Sequence, residues 1–217
     1  MFRHFHPYEI YIPQDTKKLI IGTLPPPRFC TREFKPNDVD FPYGSEDGLL
    51  WKVLDKIYSL DLEYNQSITA IQQRKEFLMR ENIGICDIVS ECKREKINAL
   101  DSGMREIIPR DILKVLREHT SINTLIFTGV MPRMIVEKIL NKEDISFTCK
   151  DEDIPQVHEF FYAKRVIKAI SLTSPSPAAN RSIGANKTYK KKKSDTPMYN
   201  TFDFRVEQYE KVFKGKI

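Results

Sequence analysis

Two short, uninterrupted apolar runs constrain this chain more than any other feature. They are Leu19-Ile20-Ile21, closed by Gly22, and Leu125-Ile126-Phe127, followed by Thr128-Gly129. Neither alternates apolar with polar, so each predicts a strand covered on both faces, as in a parallel sheet under helices. Lys164 to Leu172 is a third strand, and Ile83 to Val89 a fourth that contains Gly84. Between them the period changes. Gly48 to Ser59 places Leu50, Val53, Leu54 and Ile57 on one helical side, and Ile68 to Arg80 is a second amphipathic stretch. Pro109 suits the first turn of a helix carrying Ile112, Val115 and Leu116, and Pro132 opens another. Tyr199 to Phe213 closes the chain with Phe202, Val206 and Tyr209 on one stripe. Strands alternating with helices predict an α/β sandwich around a mainly parallel sheet. In such sheets ligands bind outside the carboxyl ends of the strands. Here those ends carry Gly22-Thr23, Asp87, Gly129 and Thr173-Ser174.

Composition narrows the class. With 217 residues, 41% hydrophobic and 30% charged, the chain can bury a sizeable core as a single domain over 1–217. No apolar run approaches the roughly 18–20 residues of a membrane span. The start, MFRHFHPYEIYIPQ, lacks a basic-then-apolar leader. An intracellular protein is expected, cytoplasmic or nucleoid-associated in a bacterium and nuclear in a eukaryote. No two of the cysteines at 30, 86, 92 and 149 are spaced C-x-x-C, so no metal or other cofactor is expected. The net charge of +5 is uneven. Residues 180–217 hold ten Lys/Arg against four Asp/Glu, which leaves −1 for the rest. The run Lys187 to Lys193, with Lys190, Lys191, Lys192 and Lys193 consecutive, concentrates that charge in what reads as a basic loop at about 185–197. It is either a solvated loop or an arm that meets a polyanion.

Two loops at strand ends could carry chemistry. Thr173-Ser174-Pro175-Ser176-Pro177-Ala178-Ala179-Asn180-Arg181 contains two X-Pro pairs, which stiffen it. It is an ordinary Pro/Ser turn or a rigid loop for close approach to a phosphate backbone. The other loop runs from Thr23-Leu24-Pro25 through Phe41-Pro42-Tyr43-Gly44-Ser45 to Asp47-Gly48 and Trp51. Its aromatic rings either cap the core or offer a base-stacking platform, worth ~1–3 kcal/mol per base. Asp47, just before a helix, is an N-cap or holds a water at a cleft mouth.

Four pieces in order carry a resemblance to the uracil-DNA glycosylase superfamily, in its mismatch-specific uracil/thymine and hypoxanthine-DNA glycosylase branches. They are Gly22-Thr23-Leu24-Pro25; Phe41-Pro42-Tyr43 leading to Trp51-Lys52-Val53-Leu54; Gly84-Ile85-Cys86-Asp87-Ile88-Val89 with Arg94 and Asp101-Ser102; and Ser174-Pro175-Ser176-Pro177. The resemblance spans about Lys18 to Arg181. It implies a three-layer sandwich with a central four-stranded, mainly parallel sheet. It also implies a monomeric, cofactor-free enzyme that flips a damaged or modified base out of DNA and hydrolyses its N-glycosidic bond. By that analogy Tyr43 stacks on the base in a pocket with Thr23, Leu24 and Gly48. Ser174, Ser176 and the backbone around Pro177 grip flanking phosphates. Ala178, Ala179, Asn180 or Arg181 fills the gap left in the duplex.

The chain departs from the pattern where catalysis would sit. Leu24 occupies the place of a water-holding Asp or Asn. Gly48 occupies that of an Asn three positions before the tryptophan, and Ser174 that of the His beside the departing base. Cleavage leaves an oxocarbenium-like sugar, so a positioned nucleophile or charge stabilisation is still required. Asp47 and Asp87 are the candidates, with Ser174 and Asn180 as polar helpers, although a strand-end Asp also serves simply to bond loop amides. The alternatives are a glycosylase-fold protein that binds DNA or bases without cutting them, and a nucleosidase acting on free nucleosides. Base-excision repair and defence against modified phage DNA both fit the glycosylase reading. The small Gly44, Ser45 and Gly48 suggest room for a base larger than uracil.

Overall fold

The computed structural model describes residues 1–217. Nine strands form two sheets. The larger is built from β2 (Lys18–Gly22), β3 (Ile83–Asp87), β6 (Thr124–Phe127), β7 (Thr148–Asp151), β8 (Gln156–Tyr162) and β9 (Arg165–Ser171), in the order β3-β2-β6-β9-β8-β7. Pairings β3-β2, β2-β6 and β6-β9 are parallel, whereas β9-β8 and β8-β7 are antiparallel. The expected four parallel strands are therefore present, but the sheet has six strands, because a hairpin and an edge strand extend it. A second, three-stranded antiparallel sheet joins β1 (Phe2–Phe5), β4 (Val89–Arg94) and β5 (Met104–Pro109).

The apolar runs divide their side chains between two cores. Leu19, Ile21, Leu125 and Phe127 face one side, with Leu116 of α4 (Ile112–Glu118) and Val136 and Leu140 of α5 (Val130–Lys142). Ile20, Ile126 and Ile170 face the other, with Leu50 and Leu54 of α2 (Leu50–Tyr58), Phe77 of α3 (Ile68–Arg80) and Tyr209 of α8 (Thr201–Phe213). The period-2 geometry of a strand sends neighbouring residues to opposite faces, so a continuous apolar run is what a twice-covered strand needs. No helix is long and apolar enough to cross a membrane.

Several expectations are corrected. Pro109 ends β5 and lies outside α4, whose N-cap is Asp111, accepting from the Lys114 amide. Pro132 sits inside the first turn of α5, which Gly129 precedes. The strand expected over Ile83 to Val89 is two strands, because the chain leaves the large sheet at Ile88 and enters the small one. The basic segment is not a loop: Lys187–Asp195 is helix α7. Asn186 caps it by accepting from the Tyr189 amide, and Tyr189 packs against Tyr199 and Phe204 at 5.9 and 5.7 Å. Lys192 pairs with Glu207 of α8, and the lysines of the last turn suit the helix dipole.

Candidate functional site

A cavity of about 470 Å³ opens outside the carboxyl ends of the four parallel strands. Thr23 follows β2, Asp87 ends β3, Thr128 follows β6 and Ser174 follows β9, and all four line it. Tyr43, Leu24, Gly48, Asp47, Ser176 and Pro177 line it as well. The two loops singled out in the sequence therefore form walls of one cavity. Asn180 and Arg181 begin α6 (Asn180–Ala185) beyond its edge, and Lys190 to Lys193 lie farther along on α7, exposed.

The floor is built around Gly22. A Cβ there would fall 2.0 Å from the Tyr43 hydroxyl and 2.2 Å from Asp87 Oδ1, so only glycine lets the phenol and the carboxylate meet over the strand end. Tyr43 holds φ at 58°, a left-handed conformation unfavourable for a bulky residue. Its hydroxyl bonds Thr128 Oγ1 at 2.7 Å. Burial, and then the charge of Asp87, raise its pKa well above the usual phenol range, so it stays neutral. Phe41 is in the core instead, tilted against Trp51 at 6.0 Å, while the Trp51 indole donates to the Pro42 carbonyl at 2.9 Å. Of the two rings, Phe41 caps the core and Tyr43 faces the cavity.

The two candidate carboxylates differ sharply. The Asp87 side chain is 6% exposed, and its Oδ2 accepts from His6 Nε2 at 2.9 Å. Its Oδ1 has no protein donor, and the residue lines the cavity. Asp47 is 54% exposed, and Lys35 Nζ donates to its carboxylate at 2.9 and 3.1 Å. Arg28 Nη2 lies 3.1 Å away. Those partners, Lys35 foremost, lower the Asp47 pKa. Asp47 does not cap α2: Leu49 occupies that position and no side chain bonds there.

Three groups escaped sequence reasoning. His6 comes from the N-terminal segment and supplies the partner of Asp87. Asp101, quoted only as part of a motif, lines the cavity and accepts from Thr23 Oγ1 at 3.2 Å. Burial raises its pKa despite that bond. Buried Arg94 holds the Asp101 loop by donating to the Leu100 carbonyl at 2.6 Å, with its Nε on His4 Nδ1 at 2.8 Å. Burial and then the Arg94 charge push the His4 pKa down to about 4, leaving a neutral ring whose Nδ1 can accept. Arg205, counted in the sequence with the basic C-terminal segment, is fully buried. It donates to the carbonyls of Ser174, Ser176 and Thr201 at 2.9, 2.8 and 3.1 Å. Tyr209 donates to the Thr173 carbonyl at 2.9 Å, and the Leu49 amide to that of Pro175 at 2.8 Å. The Ser/Pro loop is thus fixed from two helices. On a helix with an apolar stripe an arginine reads as solvent-facing, so nothing in the sequence distinguishes Arg205.

Gly44 is small for a reason other than cavity room. A Cβ there would strike the Val39 carbonyl at 1.9 Å. Gly44, Ser45 and Gly48 all line the cavity, and Ser45 Oγ accepts from Arg28 at 2.8 Å. No three His, Cys, Asp or Glu side chains gather as a metal site would require.

No family model matches the sequence, and no curated protein does. The solution NMR structure of a "putative Uracil DNA glycosylase" from Methanosarcina acetivorans superposes with a TM-score of 0.55 at 17% identity, over 95% of this chain and 99% of that one. The fold is glycosylase-like. The likeness covers nearly the whole of both chains and concerns the fold.

Proposed function

We propose that this chain is a DNA glycosylase that flips a modified base out of the helix and hydrolyses its N-glycosidic bond. One observation carries the reading: Asp87, whose side chain is 6% exposed and whose Oδ1 has no protein donor, lines a cavity together with Tyr43. A carboxylate oxygen left without a protein donor at a cavity wall is free to bond a water or ligand there. A water there would be oriented by an anion, which is what attack on C1′ requires. His6 fixes the carboxylate by donating through Nε2. The same anion stabilises positive charge developing on the sugar. Asp87 thus takes the task that Leu24 and Gly48 cannot perform, and Asp47, already neutralised by Lys35 and Arg28, does not.

The remaining roles follow from position. The Tyr43 ring stacks on the base. Ser174, Ser176 and the backbone around Pro177 meet the flanking phosphates on a loop made rigid by Arg205, so little ordering entropy is lost on binding. Exposed Ala178 with Asn180 and Arg181 fills the vacated stack, and Lys190 and Lys191 of α7 extend the contact along the backbone. Repair of damaged DNA and defence against modified phage DNA are both served by this chemistry. The substitution of Leu24 and Ser174 at the family's reactive positions favours a second reading, a protein that binds flipped bases without cutting them.

Incubation with duplex and single-stranded oligonucleotides bearing uracil, hypoxanthine, alkylated and hydroxymethyl- or glucosyl-modified bases, scored for abasic sites, separates the two. Abasic product from at least one base supports the glycosylase. Tight binding with no product from any base establishes the binding module.

A further inference from the structure

We infer that the cavity selects a cationic base, an N-alkylated purine such as 7-methylguanine or 3-methyladenine, over the neutral bases uracil and hypoxanthine. This inference rests on the glycosylase reading and names its substrate class. It begins with the balance of charge around the cavity. Three carboxylates line it, those of Asp47, Asp87 and Asp101, against one cation, Arg28. Arg28 is not available to a ligand as a net charge. Its Nε and Nη2 bond Asp38 at 2.7 and 2.8 Å, and its Nη2 also reaches Ser45 and Asp47. Asp38 and Asp47 both meet Arg28, and Lys35 meets Asp47 and Glu46, so every rim carboxylate is paired. On the floor Asp87 bonds His6 and Asp101 bonds only the neutral Thr23 hydroxyl, while buried Arg94 acts on Asp101 without an ion pair, its Nε and Nη1 being bonded to His4 and the Leu100 carbonyl.

The second observation is independent of that count. The Asp87 side chain lines the cavity and is only 6% exposed, yet no protein donor reaches its Oδ1. Asp101 likewise offers Oδ1 without a donor, since Thr23 reaches only Oδ2. Burial has raised the Asp101 pKa, a penalty that an adjacent positive ligand relieves. The third observation is the Tyr43 ring, whose electron-rich face attracts a cation more strongly in a desolvated site than in water.

The chemistry agrees with the residues that are missing. Uracil and hypoxanthine depart as anions and need a donor or a positive charge at the leaving base, yet Ser174 stands where the family has a His. An N-alkylated purine carries its own activation. The C1′–N9 bond breaks with its electron pair going to the ring nitrogen, which cancels the positive charge of the base. A water oxygen forms the new bond to C1′, and the water's proton passes to Asp87 and then to solvent. The products are the neutral alkylpurine, the abasic sugar and one proton. No acid at the leaving base is required. An anionic leaving group beside two carboxylates, by contrast, is opposed by like charge.

The test is single-turnover excision by the full chain on matched duplexes bearing 7-methylguanine, 3-methyladenine, uracil or hypoxanthine, each rate corrected for spontaneous base loss. The alkylated purines should be released at least roughly tenfold faster than the neutral bases. Asp101→Asn should shrink that ratio, mainly by slowing the alkylated substrates. Uracil or hypoxanthine excised as fast or faster overturns the inference while leaving the glycosylase reading intact. Excision of no base at all overturns both. An unchanged ratio in Asp101→Asn, in a protein folded by circular dichroism, overturns the assignment of Asp101. If that variant fails to fold, the unmodified protein's substrate ratio still decides.

Discussion

The floor and the rim of the cavity are both lined with aspartates, and they use them in opposite ways. At the rim, Asp38 has an inaccessible side chain and accepts from Arg28 and from the amides of Lys35 and Glu46, while Asp47 accepts from Lys35. Every charge there has a partner, and the arrangement ties the loop from Arg28 to Asp47 to itself. On the floor, Asp87 and Asp101 each keep one oxygen without a donor. The difference teaches that proximity to a strand end does not make a carboxylate reactive. A paired carboxylate stabilises the fold; one that lines a cavity with an acceptor left open can still bond a substrate or water.

The largest effect expected is from Asp87→Asn, which should slow single-turnover excision by ~10²–10⁴, the scale for a positioned acid–base group. Asp47→Asn should change it by less than about threefold, as for an exposed ion pair. Reversal of that order would move the chemistry to the rim. Next is Arg205→Leu, which strips the donors from two carbonyls of the Ser/Pro loop, Ser174 and Ser176, and from Thr201 of its own helix. It should lower unfolding stability in urea by roughly 3 kcal/mol, with DNA affinity falling in parallel; a stability change near zero would mean the Tyr209 and Leu49 bonds suffice to hold the loop. Tyr43→Ala should cost ~1–3 kcal/mol in base capture, read as weaker excision with intact nonspecific binding. Tyr43→Phe should keep the excision rate, because the ring face is retained.

The smallest effect sharpens the comparison most finely, because floor and rim should have opposite pH dependences. Burial alone would raise the Asp38 pKa, but the hydrogen bonds from Arg28 and two amides lower it below the ordinary 3.8. Its stabilising contribution is complete above that value and is lost as pH falls through the folded one. Burial raises the Asp101 pKa above 3.8, so stability is lost there as pH rises through the folded value. In thermal melts Asp38→Asn should be less stable than the parent at pH 7, with the gap closing below about pH 4. Asp101→Asn should gain on the parent from about pH 4 to pH 7. Parallel trends in the two variants would erase the distinction.

The sandwich was legible because its strands are apolar on both faces, and the cavity because the strand ends of an α/β sheet are where ligands bind. The mainly parallel sheet and the residues Thr23, Asp87 and Ser174 at its strand ends follow from that, while the four-strand core was implied by the family resemblance. The small sheet was not legible. β4 and β5, VSECKR and MREIIP, are short, charged and half-exposed, and they pair across a loop. β8 has too few residues of clear alternation to separate from a turn. His6 lies 81 positions from Asp87 and enters through β1, so no local spacing predicts the contact. Helix α7 was hidden by its lysines: composition suggests a solvated loop, while the Asn186 cap and the Tyr189 anchor decide for a helix.

The most direct measurement needs no knowledge of the base. A duplex carrying a pyrrolidine abasic analogue, with positive charge where the sugar cation develops, can be compared with the neutral tetrahydrofuran analogue in equilibrium binding to the parent, Asp87→Asn and Asp47→Asn. If the floor carboxylate faces the reacting sugar, the parent should prefer the cationic analogue by on the order of 10²-fold or more, as transition-state mimics are preferred. Asp87→Asn should lose that preference and Asp47→Asn should keep it. Equal affinity of the parent for both duplexes, or a preference that survives Asp87→Asn, would contradict a catalytic floor.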